Sequence, residues 1–347
     1  MKVLIYRHAN HDAIKGGAEV QLTSTADALK RKKVKVEYSS NPHEDLSGYD
    51  LVHIFNSPRF DETKSYFDNA IRQKKPIAFS TIFWSKEDLA IGVARTAKVR
   101  IAKKILGENL SKAMWRTVKG QTKEQKIEKW LFENADVLLP NSEGEQREIE
   151  RAYGIRAKKY HVVRNAIDTS LFAKEPEGKR ENYVLSVGRI ENRKNTIKLI
   201  EACHKLGLHL KLIGALDERD DYARSCLDLI KKYDVEHLDP KPQKELLDYY
   251  YSAKAHAMVS WYETPGLSSM EAACGGCNIV STDRGSTKEY FGKNANYCSP
   301  FSQPSIEEAL LEAIGGQSDM TLRETIMSEY TWDGAAYDTL AGYGMVI

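Results

Sequence analysis

The sequence predicts an α/β protein built from two doubly wound parallel-sheet domains that face each other across a cleft. Short apolar runs rich in β-branched residues alternate with segments of helical periodicity along the chain. Alternating strands and helices favour parallel sheets that are covered by helices on both faces. The chain has 347 residues, which exceeds one ordinary core, so two domains are expected.

Each half of the chain opens with a similar strand. The apolar runs within 1–7 and 182–189 both lead into a polar or glycine-containing loop, and helical segments follow at 18–31 and 196–206. The remaining predicted strands are 35–38, 51–55, 77–82, 137–139 and 160–163 in the first half, and 208–213, 235–238, 255–260, 278–281 and 295–298 in the second.

The join between the domains is predicted at 164–179, where turn-forming residues precede a polar stretch with proline and glycine. We therefore expect an N-terminal domain over 1–168, a second domain over 169–322 and a helical segment over 323–347. Ligands of open α/β sheets bind beyond the carboxyl ends of the strands, so the site is expected in the cleft between the sheets.

Composition and charge exclude several classes of protein. A net charge of +2 argues against nucleic-acid binding, which usually needs a strongly basic face. No apolar run approaches the roughly 20 residues of a membrane span, and the first residues do not read as a signal peptide. The five cysteines are an odd number in the second half of the chain, which favours reduced thiols. A cytoplasmic protein is therefore expected.

Cys274-Gly-Gly-Cys277 has the spacing of redox and zinc motifs. A zinc site needs a second pair of ligands with matching spacing, and none is nearby. A redox cysteine lies at a helix N-terminus, whereas Cys274 falls where a helix over 267–274 should end. We interpret the motif as small residues at a helix end and expect no metal.

A basic loop follows the first strand of the second half. Arg189, Arg193 and Lys194 lie between Gly188 and a helix N-terminus, at the sheet edge where ligands bind. Three cations and the amides of a helix N-terminus can stabilise a diphosphate without a metal. The alternative is a solvated basic turn, which is common in loops.

A tight turn and a helix start follow the strand at 255–260. If Pro265-Gly266 turns the chain, the amides of Gly266, Leu267 and Ser268 point outward at a helix N-terminus. Amides in that arrangement can bind a phosphate or a sugar hydroxyl.

Glu263 and Glu271 flank this turn. In the first turns of the helix, Glu271 could accept two hydrogen bonds from a vicinal diol such as a ribose, and Glu263 could face a second group. On one continuous helix the two residues would lie about 12 Å apart, so the turn is what could bring both carboxylates to one ligand. The alternative is an ordinary loop glutamate and a helix-start glutamate favoured by the helix dipole.

The loop after the first strand contains Gly16-Gly17 ahead of the helix at 18–31. It lacks the G-x-G-x-x-G spacing of dinucleotide-binding sites, which argues against a dehydrogenase. The two glycines allow close approach of the backbone to a ligand. A flexible loop ahead of a helix explains them equally well.

Four further segments extend the pattern in chain order: Leu139-Pro-Asn-Ser142, Val162-Val-Arg-Asn165-Ala-Ile-Asp168, Cys277-Asn-Ile-Val-Ser-Thr-Asp-Arg-Gly285-Ser-Thr-Lys-Glu289 and Tyr330-Thr-Trp332. With Gly188-Arg189 and Lys194, Glu263-x7-Glu271 and the Gly16-Gly17 loop, they resemble the retaining nucleotide-sugar glycosyltransferases of family 4, also called group 1. The resemblance spans nearly the whole chain and is weaker in the first half. It implies the GT-B fold, in which two Rossmann-like domains face an interdomain cleft. It also implies that the last helix, within 323–347, returns to the N-terminal domain.

The resemblance implies roles for side chains of the second half. Arg189 and Lys194 would stabilise the departing nucleotide diphosphate in place of a metal. Glu271 would hold the ribose hydroxyls, and Glu263 would lie near the donor sugar.

The resemblance also implies backbone contacts with the donor. The amides of 265–268 would bind phosphate and sugar, although Pro265 itself has none, and Gly188 would lie beside the donor. Gly16 and Gly17 would approach the diphosphate from the N-terminal domain.

The implied reaction is transfer of a hexose-like sugar, with retention, from a nucleotide-sugar donor to a saccharide or lipid-linked glycan acceptor, as in cell-surface glycan synthesis. The nucleotide-sugar is a co-substrate, and no cofactor or metal is expected. Two alternatives stay open. A nucleotide-sugar epimerase would need acid and base groups in the cleft, and a non-catalytic nucleotide- or glycan-binding protein would bind without turnover.

Three features depart from the family pattern, one of which is Thr264-Pro265-Gly266 where Gly-Phe-Gly is common. Many members carry a histidine after the strand that corresponds to 77–82, and here the run Phe79-Ser-Thr-Ile-Phe-Trp84 has none. Aromatic side chains could line the sugar pocket instead, and His8 or His53 could substitute. Ala166 stands where the family has glycine, so no positive φ is demanded there.

Residues 95–131 are strongly basic, with apolar residues at helical spacing. A basic amphipathic helix could contact an anionic membrane, which would suit a lipid-linked acceptor. The alternative is a solvated helix that covers the sheet.

Overall fold

The computed structural model describes residues 1–8, 16–85, 122–318 and 320–347. These residues form two compact units. The first holds the described residues of Met1–Phe83 and of Ala113–Ala166 together with Tyr330–Ile347, and the second is formed mainly by Ile167–Glu329.

The first unit contains a five-stranded parallel sheet. Its strands are β1 (Lys2–Tyr6), β2 (Lys35–Ser39), β3 (Leu51–Phe55), β4 (Ile77–Ser80) and β5 (Val137–Leu139), in the spatial order β2-β1-β3-β4-β5. Its described helices are α1 (Gly17–Arg31), α2 (Phe60–Arg72), α3 (Lys123–Asn134), α4 (Glu143–Tyr153) and, from the end of the chain, α12 (Trp332–Tyr343).

The second unit contains a six-stranded parallel sheet. Its strands are β6 (Glu181–Val187), β7 (His209–Ile213), β8 (Val235–Leu238), β9 (Ala253–Met258), β10 (Asn278–Thr282) and β11 (Asn296–Cys298). Its described helices are α5 (Thr196–Lys205), α6 (Asp221–Lys232), α7 (Gln243–Ser252), α8 (Leu267–Cys274), α9 (Thr287–Phe291), α10 (Gln303–Gly315) and α11 (Thr321–Glu329).

The order of the second sheet is β11-β10-β9-β6-β7-β8. The chain therefore builds outward from β6 to β8, crosses back, and builds outward again from β9 to β11. This is the order of doubly wound nucleotide-binding sheets, in which a crevice opens where the direction reverses. In this unit the reversal lies between β6 and β9. The predicted fold class, two doubly wound parallel sheets, is confirmed.

Four strands of the first unit's sheet, β1, β3, β4 and β5, are buried along nearly their whole length, as a parallel sheet covered by helices requires, whereas the edge strand β2 is partly exposed. All residues of β3 are buried, including His53, whose exposed fraction is 0%. The two ring nitrogens of His53 lie 2.7 Å from the hydroxyl of Tyr343 in α12 and 2.9 Å from Ser80 Oγ in β4. Burial lowers the pKa of His53 to about 3. His53 is therefore a neutral core residue that joins the terminal helix to the sheet.

Three predicted strands differ from the structure by more than one residue, and one of them, 255–260, is shifted by two residues, since β9 covers Ala253–Met258. Residues 160–163 form no strand: backbone hydrogen bonds run beside β5, but only Tyr160 makes a bridge, with Leu138. β5 has only three residues, so it offers few backbone groups with which residues 160–163 could pair. β4 ends at Ser80, two residues before the predicted end, and Ile82 adopts a φ of 36° that no strand residue can hold.

The terminal segment that belongs to the first unit begins at Tyr330, so it is shorter than the predicted 323–347. α11 is part of the second unit. The guanidinium of Arg323 donates to the carbonyls of Phe172 and Lys174 at 2.7 and 3.2 Å and also to that of Cys274. α12, in contrast, packs on α1, and Arg31 and Lys32 hold Asp333 in its first turn at 2.7 and 2.8 Å.

The Cys274-Gly-Gly-Cys277 motif lies at the end of α8, as predicted. Both thiols are buried and unpaired, and burial raises the pKa of each to about 12. Thiols in this state are poor nucleophiles and metal ligands, because the reactive form is the thiolate.

The described residues contain no helix that is long and apolar enough to cross a membrane. Of the basic segment 95–131, residues 95–121 lie outside the described residues. The remainder begins α3 with a capping box formed by Thr122 and Gln125.

The buried His53 predicts a loss of stability in acid. The pKa of His53 in the folded chain lies below the ordinary 6.5, so between these two pKa values the unfolded chain binds a proton and the folded chain does not. Its contribution is complete above pH 6.5 and is lost as the pH falls towards 3. We expect His53→Phe to flatten the pH dependence of the first unit's unfolding free energy by up to about 1.4 kcal/mol per pH unit.

The measurement is denaturant unfolding of both proteins between pH 7 and 4. Because Phe removes the partner of the Tyr343 and Ser80 hydroxyls, the variant is expected to be less stable at every pH. The informative quantity is therefore the slope of the unfolding free energy against pH. Equal slopes in the two proteins would show that His53 is not kept neutral.

Candidate functional site

The candidate site lies in the second unit, at the carboxyl ends of β6 and β9. The basic segment 188–195 follows β6, and the acidic segment 259–266 follows β9. β6 and β9 are neighbours in the sheet, although their ends lie far apart in the chain. The strand reversal therefore brings the two predicted segments to one edge, where nucleotide-binding sheets hold their ligands.

A buried ion pair joins the two segments. Lys194 Nζ lies 2.8 Å from Glu263 Oε2, and the side chains are 15% and 8% exposed. The same carboxylate oxygen accepts a hydrogen bond of 2.9 Å from the hydroxyl of Ser260. Two residues that the sequence predicted separately are thus in direct contact.

Arg193 completes a charge-balanced cluster. Its Nη1 lies 3.5 Å from Glu263 Oε2, and its Nη2 pairs with Glu191 Oε1 at 2.8 Å. Two cations, Arg193 and Lys194, therefore face two carboxylates, Glu191 and Glu263. Because charges removed from water are tolerated only when they are paired, each member constrains the others.

The cluster keeps Glu263 ionised. Burial alone would raise the pKa of Glu263, but the nearby ammonium of Lys194 and guanidinium of Arg193 outweigh burial and lower it. Burial lowers the pKa of Lys194 and the charge of Arg193 lowers it further, against the attraction of Glu263. Glu263 is therefore suited to hold a cation or accept a hydrogen bond, and unsuited to donate a proton.

Close backbone packing holds both segments in place. A Cβ on Gly214, just after β7, would lie 2.0 Å from the carbonyl oxygen of Gly188. Gly285 has a φ of 87°, and a Cβ there would lie 2.0 Å from the carbonyl oxygen of Glu263. Neither position accepts a side chain without moving a segment of the site. Asn195, with a φ of 56°, donates through Nδ2 to the carbonyls of Val259 and Pro300, both at 3.1 Å.

Arg189 differs from the other cations of the loop. Its side chain is exposed, and among the described residues no carboxylate lies within ion-pair distance of it. Arg189 is therefore a charge at the site edge that a ligand can use without displacing a protein partner.

Glu271 lies in α8, apart from the ion-paired cluster. Its Oε2 accepts from the hydroxyl of Tyr250 at 2.9 Å, and its Oε1 accepts from Gln243 Nε2 at 2.6 Å. Burial raises the pKa of Glu271, against the effect of these two donors. A carboxylate has about four acceptor positions, so each oxygen keeps one for a ligand while Tyr250 and Gln243 fix its orientation.

The helix start predicted after Pro265 is present. Gly266 is the N-cap of α8 with a φ of 88°, and its carbonyl accepts from the amides of Ser269 and Met270. The first amides of an α-helix have no partner within the helix, which leaves those of Leu267 and Ser268 for a ligand.

Gly16 and Gly17 lie in the first unit. Gly16 is the N-cap of α1 and its carbonyl accepts from the amide of Val20 at 3.0 Å, while the preceding residues 9–15 lie outside the described residues. His8, the other candidate histidine, lies 2.8 Å from Glu62 Oε2.

Sequence reasoning missed several contacts of the site. Arg193 was counted as a loop cation but not as a partner of Glu263. Ser260 carried no signal beyond its place three residues before Glu263. Tyr250 and Gln243 lie on α7, 21 and 28 residues before Glu271, and no pattern in the chain links them to it.

Among the described residues, no group of three or more histidine, cysteine, aspartate or glutamate side chains is arranged to hold a metal ion.

The fold is that of the GT-B glycosyltransferases. Sucrose-phosphate synthase from Thermosynechococcus elongatus matches with a TM-score of 0.77 over 99% of this chain and 98% of that one, at 15% identity. Anabaena HepE in complex with UDP matches with a TM-score of 0.73 over 100% of both chains, at 16% identity. At such low identity the likeness establishes the fold alone.

The family follows from the sequence matches. Residues 168–327 match the family described as Glycosyl transferases group 1, and residues 113–171 match Glycosyltransferase Family 4. The chain belongs to the group 1 glycosyltransferases of family 4, as its motifs predicted.

Two curated relatives match part of the chain. The Campylobacter jejuni N-acetylgalactosamine-N,N'-diacetylbacillosaminyl-diphospho-undecaprenol 4-alpha-N-acetylgalactosaminyltransferase is 32% identical over 178 residues, which is 47% of this chain and 46% of that protein. Glycogen synthase of Mycobacterium tuberculosis is 28% identical over 236 residues, 62% of this chain and 56% of that protein. The chain spans about half the length of these relatives.

The ion pair predicts a large effect on stability when one partner is removed. Lys194→Ala leaves Glu263 buried with only Arg193 as a more distant cation, and we expect a loss of about 3–5 kcal/mol from the second unit's unfolding free energy. Adding Glu263→Gln to Lys194→Ala should recover part of this loss. Denaturant unfolding of the single and double variants measures both effects.

The matched control is Arg219→Ala, which removes the exposed Arg219–Asp217 pair of the same unit and should leave its stability nearly unchanged. If Lys194→Ala lowered the unfolding free energy as little as this control does, the Lys194–Glu263 pair would not be what holds the two segments together.

Proposed function

We propose that this chain transfers a sugar from a nucleotide-sugar donor to a saccharide or lipid-linked glycan acceptor, with retention at the anomeric carbon and without a metal. The observation that carries the proposal is the buried Lys194–Glu263 pair at the strand reversal of the second sheet, beside the exposed Arg189. Cations are needed there because the leaving nucleotide diphosphate gains negative charge as the glycosidic bond breaks.

In this mechanism Arg189 and Lys194 stabilise the leaving diphosphate. A lysine ammonium has three N–H donors, so Lys194 can hold Glu263 and still donate to a phosphate. The amides of Leu267 and Ser268 add neutral donors. Preorganised charges of this kind often supply the largest part of catalysis, and they take the place that a metal holds in other transferases.

The carboxylates do not act as acid and base. The lowered pKa of Glu263 favours an ionised group that orients Lys194 and faces the donor sugar. The acceptor's proton then passes to the departing phosphate. An epimerase would need a proton donor and acceptor at the sugar, so the ionised Glu263 favours the transferase over that alternative.

Glu271 binds the nucleoside. Tyr250 and Gln243 hold its carboxylate, and the free acceptor positions fit the two hydroxyls of a ribose. UDP is the first nucleotide to test, because the structure of the similar HepE protein contains it.

The acceptor class is proposed from the names of similar proteins. The Campylobacter relative is named for a diphospho-undecaprenol substrate, and a structure of the same fold is a lipopolysaccharide outer core galactosyltransferase. We expect a cytoplasmic enzyme of cell-surface glycan synthesis. With a lipid-linked acceptor, the basic segment 95–131 would supply peripheral contact with an anionic membrane.

Nucleotide binding should depend on Glu271. A nucleotide that binds only the folded chain, present at about 100 times its dissociation constant, stabilises by roughly 2.7 kcal/mol. We expect thermal unfolding with UDP, GDP, ADP, CMP and dTDP to show one nucleotide with such a shift, and Glu271→Ala to abolish it. The shift within each variant is the readout, because the substitution leaves the Tyr250 hydroxyl without its acceptor.

The control is Glu245→Ala, which removes an exposed glutamate of the neighbouring α7 and should keep the shift. No shift with any nucleotide in the native chain would refute the donor site.

Arg189 should affect turnover but not stability. Because its side chain is exposed and has no ion-pair partner within the described part of the chain, Arg189→Ala should unfold like the native chain while kcat falls by about 10²–10³. The assay follows nucleotide release from the donor with a panel of acceptors, in the presence and absence of a chelator, and the anomeric configuration of the product is determined.

We expect a retained configuration and a rate that the chelator does not change. An inverted product would refute retention, and a rate abolished by the chelator would refute independence from metal. An epimerised donor without transfer would favour the epimerase, and nucleotide binding without any turnover would favour a binding protein.

A further inference from the structure

β6 and β9 separate before they end. Their pairing shifts register between Glu181 and Val184 and stops at Leu185, which lies opposite His256. Beyond that point β6 continues to Val187 and remains paired with β7 on its other side. The amide of Val187 therefore has no backbone acceptor on β9, at the last residue before Gly188.

The side chain of His256 supplies the missing acceptor. His256 is 0% exposed in the middle of β9, and its Nε2 lies 3.3 Å from the amide nitrogen of Val187. Because that amide donates, Nε2 carries no proton. The imidazole thus takes the place of a backbone carbonyl where the two strands diverge.

The other ring nitrogen of His256 reaches the start of α8. Nδ1 lies 3.3 Å from the hydroxyl oxygen of Ser269, which is 1% exposed in the first turn of α8. With Nε2 as acceptor, the proton belongs on Nδ1, which donates to Ser269. Burial lowers the pKa of His256 to about 3, aided by the charge of Lys194 and opposed by Glu263, so this neutral arrangement persists at physiological pH.

One side chain therefore connects both halves of the donor site. Val187 immediately precedes Gly188 and Arg189, and Ser269 follows Ser268 in the helix that carries Glu271. An apolar residue would fill the same space in β9 without bonding to either segment.

We propose that His256 is a positioning residue that sets the spacing between the basic segment after β6 and the start of α8, and thereby the fit of the nucleotide diphosphate between them. The inference rests on the proposed function of this site. It assigns His256 no contact with the substrate.

The test compares dissociation constants for the nucleoside diphosphate that stabilises the native chain most strongly. Loss of one or two neutral hydrogen bonds in His256→Phe should raise the dissociation constant on the order of tenfold. His256→Gln can accept from Val187 through Oε1 and donate to Ser269 through Nε2, so it should bind within about threefold of the native chain. Where turnover is measurable, the donor KM should rise more than kcat falls.

Two further variants separate positioning from general destabilisation. His53→Phe removes a buried histidine that is bonded through both nitrogens in the first unit, and it should leave the dissociation constant unchanged. If His256→Phe does not fold, Ser269→Ala removes one of the two hydrogen bonds and should weaken binding severalfold.

The outcomes distinguish the two proposals. Native affinity in His256→Phe, or in Ser269→Ala where the first variant is not folded, overturns the role of His256 and leaves the proposed function standing. Equal weakening by His53→Phe and His256→Phe also overturns it, because the effect would then be one of stability. A native chain that binds none of the nucleotides overturns the proposed function and the inference together.

Discussion

The reversal of strand order between β6 and β9 is the constraint on which the candidate site depends. It brings a basic and an acidic segment to one sheet edge from positions about 70 residues apart, as the 69-residue separation of Lys194 and Glu263 shows. Neither charge could be buried alone, because an isolated buried ion loses far more hydration energy than the protein returns. The pairing of Lys194 with Glu263 therefore fixes both segments together, and the remaining contacts refine this arrangement.

The refinements come from residues that carry no charge. Gly214 and Gly285 let neighbouring loops pass within van der Waals contact of the carbonyls of Gly188 and Glu263. Asn195 adopts a left-handed conformation, and its side chain donates to one carbonyl beyond β9 and one beyond β11. His256 joins the strands where the ladder stops. A site of this kind needs little mobility in its charged groups, which suits catalysis by preorganised charge.

The parts of this structure that depend on local pattern could be predicted from the sequence. Strand and helix alternation, the helix start at Gly266 and the helix end at Cys274 all follow from periodicity and turn chemistry. Residues 160–163 misled the prediction, because their aromatic and β-branched residues suggest a strand, whereas they form only one bridge beside the three-residue β5. The partners of Glu271 could not be predicted, because a contact between α7 and α8 depends on how helices pack and leaves no spacing rule in the chain. The partners of Glu263 could not be predicted either, because Lys194 and Arg193 reach it only through the pairing of β6 with β9. The role of His256 could not be predicted either, because a histidine in an apolar strand is indistinguishable by sequence from an ordinary core residue such as His53.

Lys194 and Arg189, which the sequence assigns together to the leaving diphosphate, have different surroundings in the structure. Lys194 is buried and its charge is already engaged by Glu263, so its first contribution is to hold the acidic segment against the basic one. Arg189 is exposed and has no carboxylate within ion-pair distance among the described residues, so no ion pair there engages its charge. Under the proposed function, a diphosphate that entered the site would meet one cation that is already ion-paired and one that is exposed. The ion-paired Lys194 gives the site its geometry before the donor arrives, and the exposed Arg189 can strengthen its contact with the phosphate as charge grows during bond cleavage. Transition-state stabilisation requires interactions that strengthen along the reaction, and of the two residues Arg189 is the one whose surroundings permit that change.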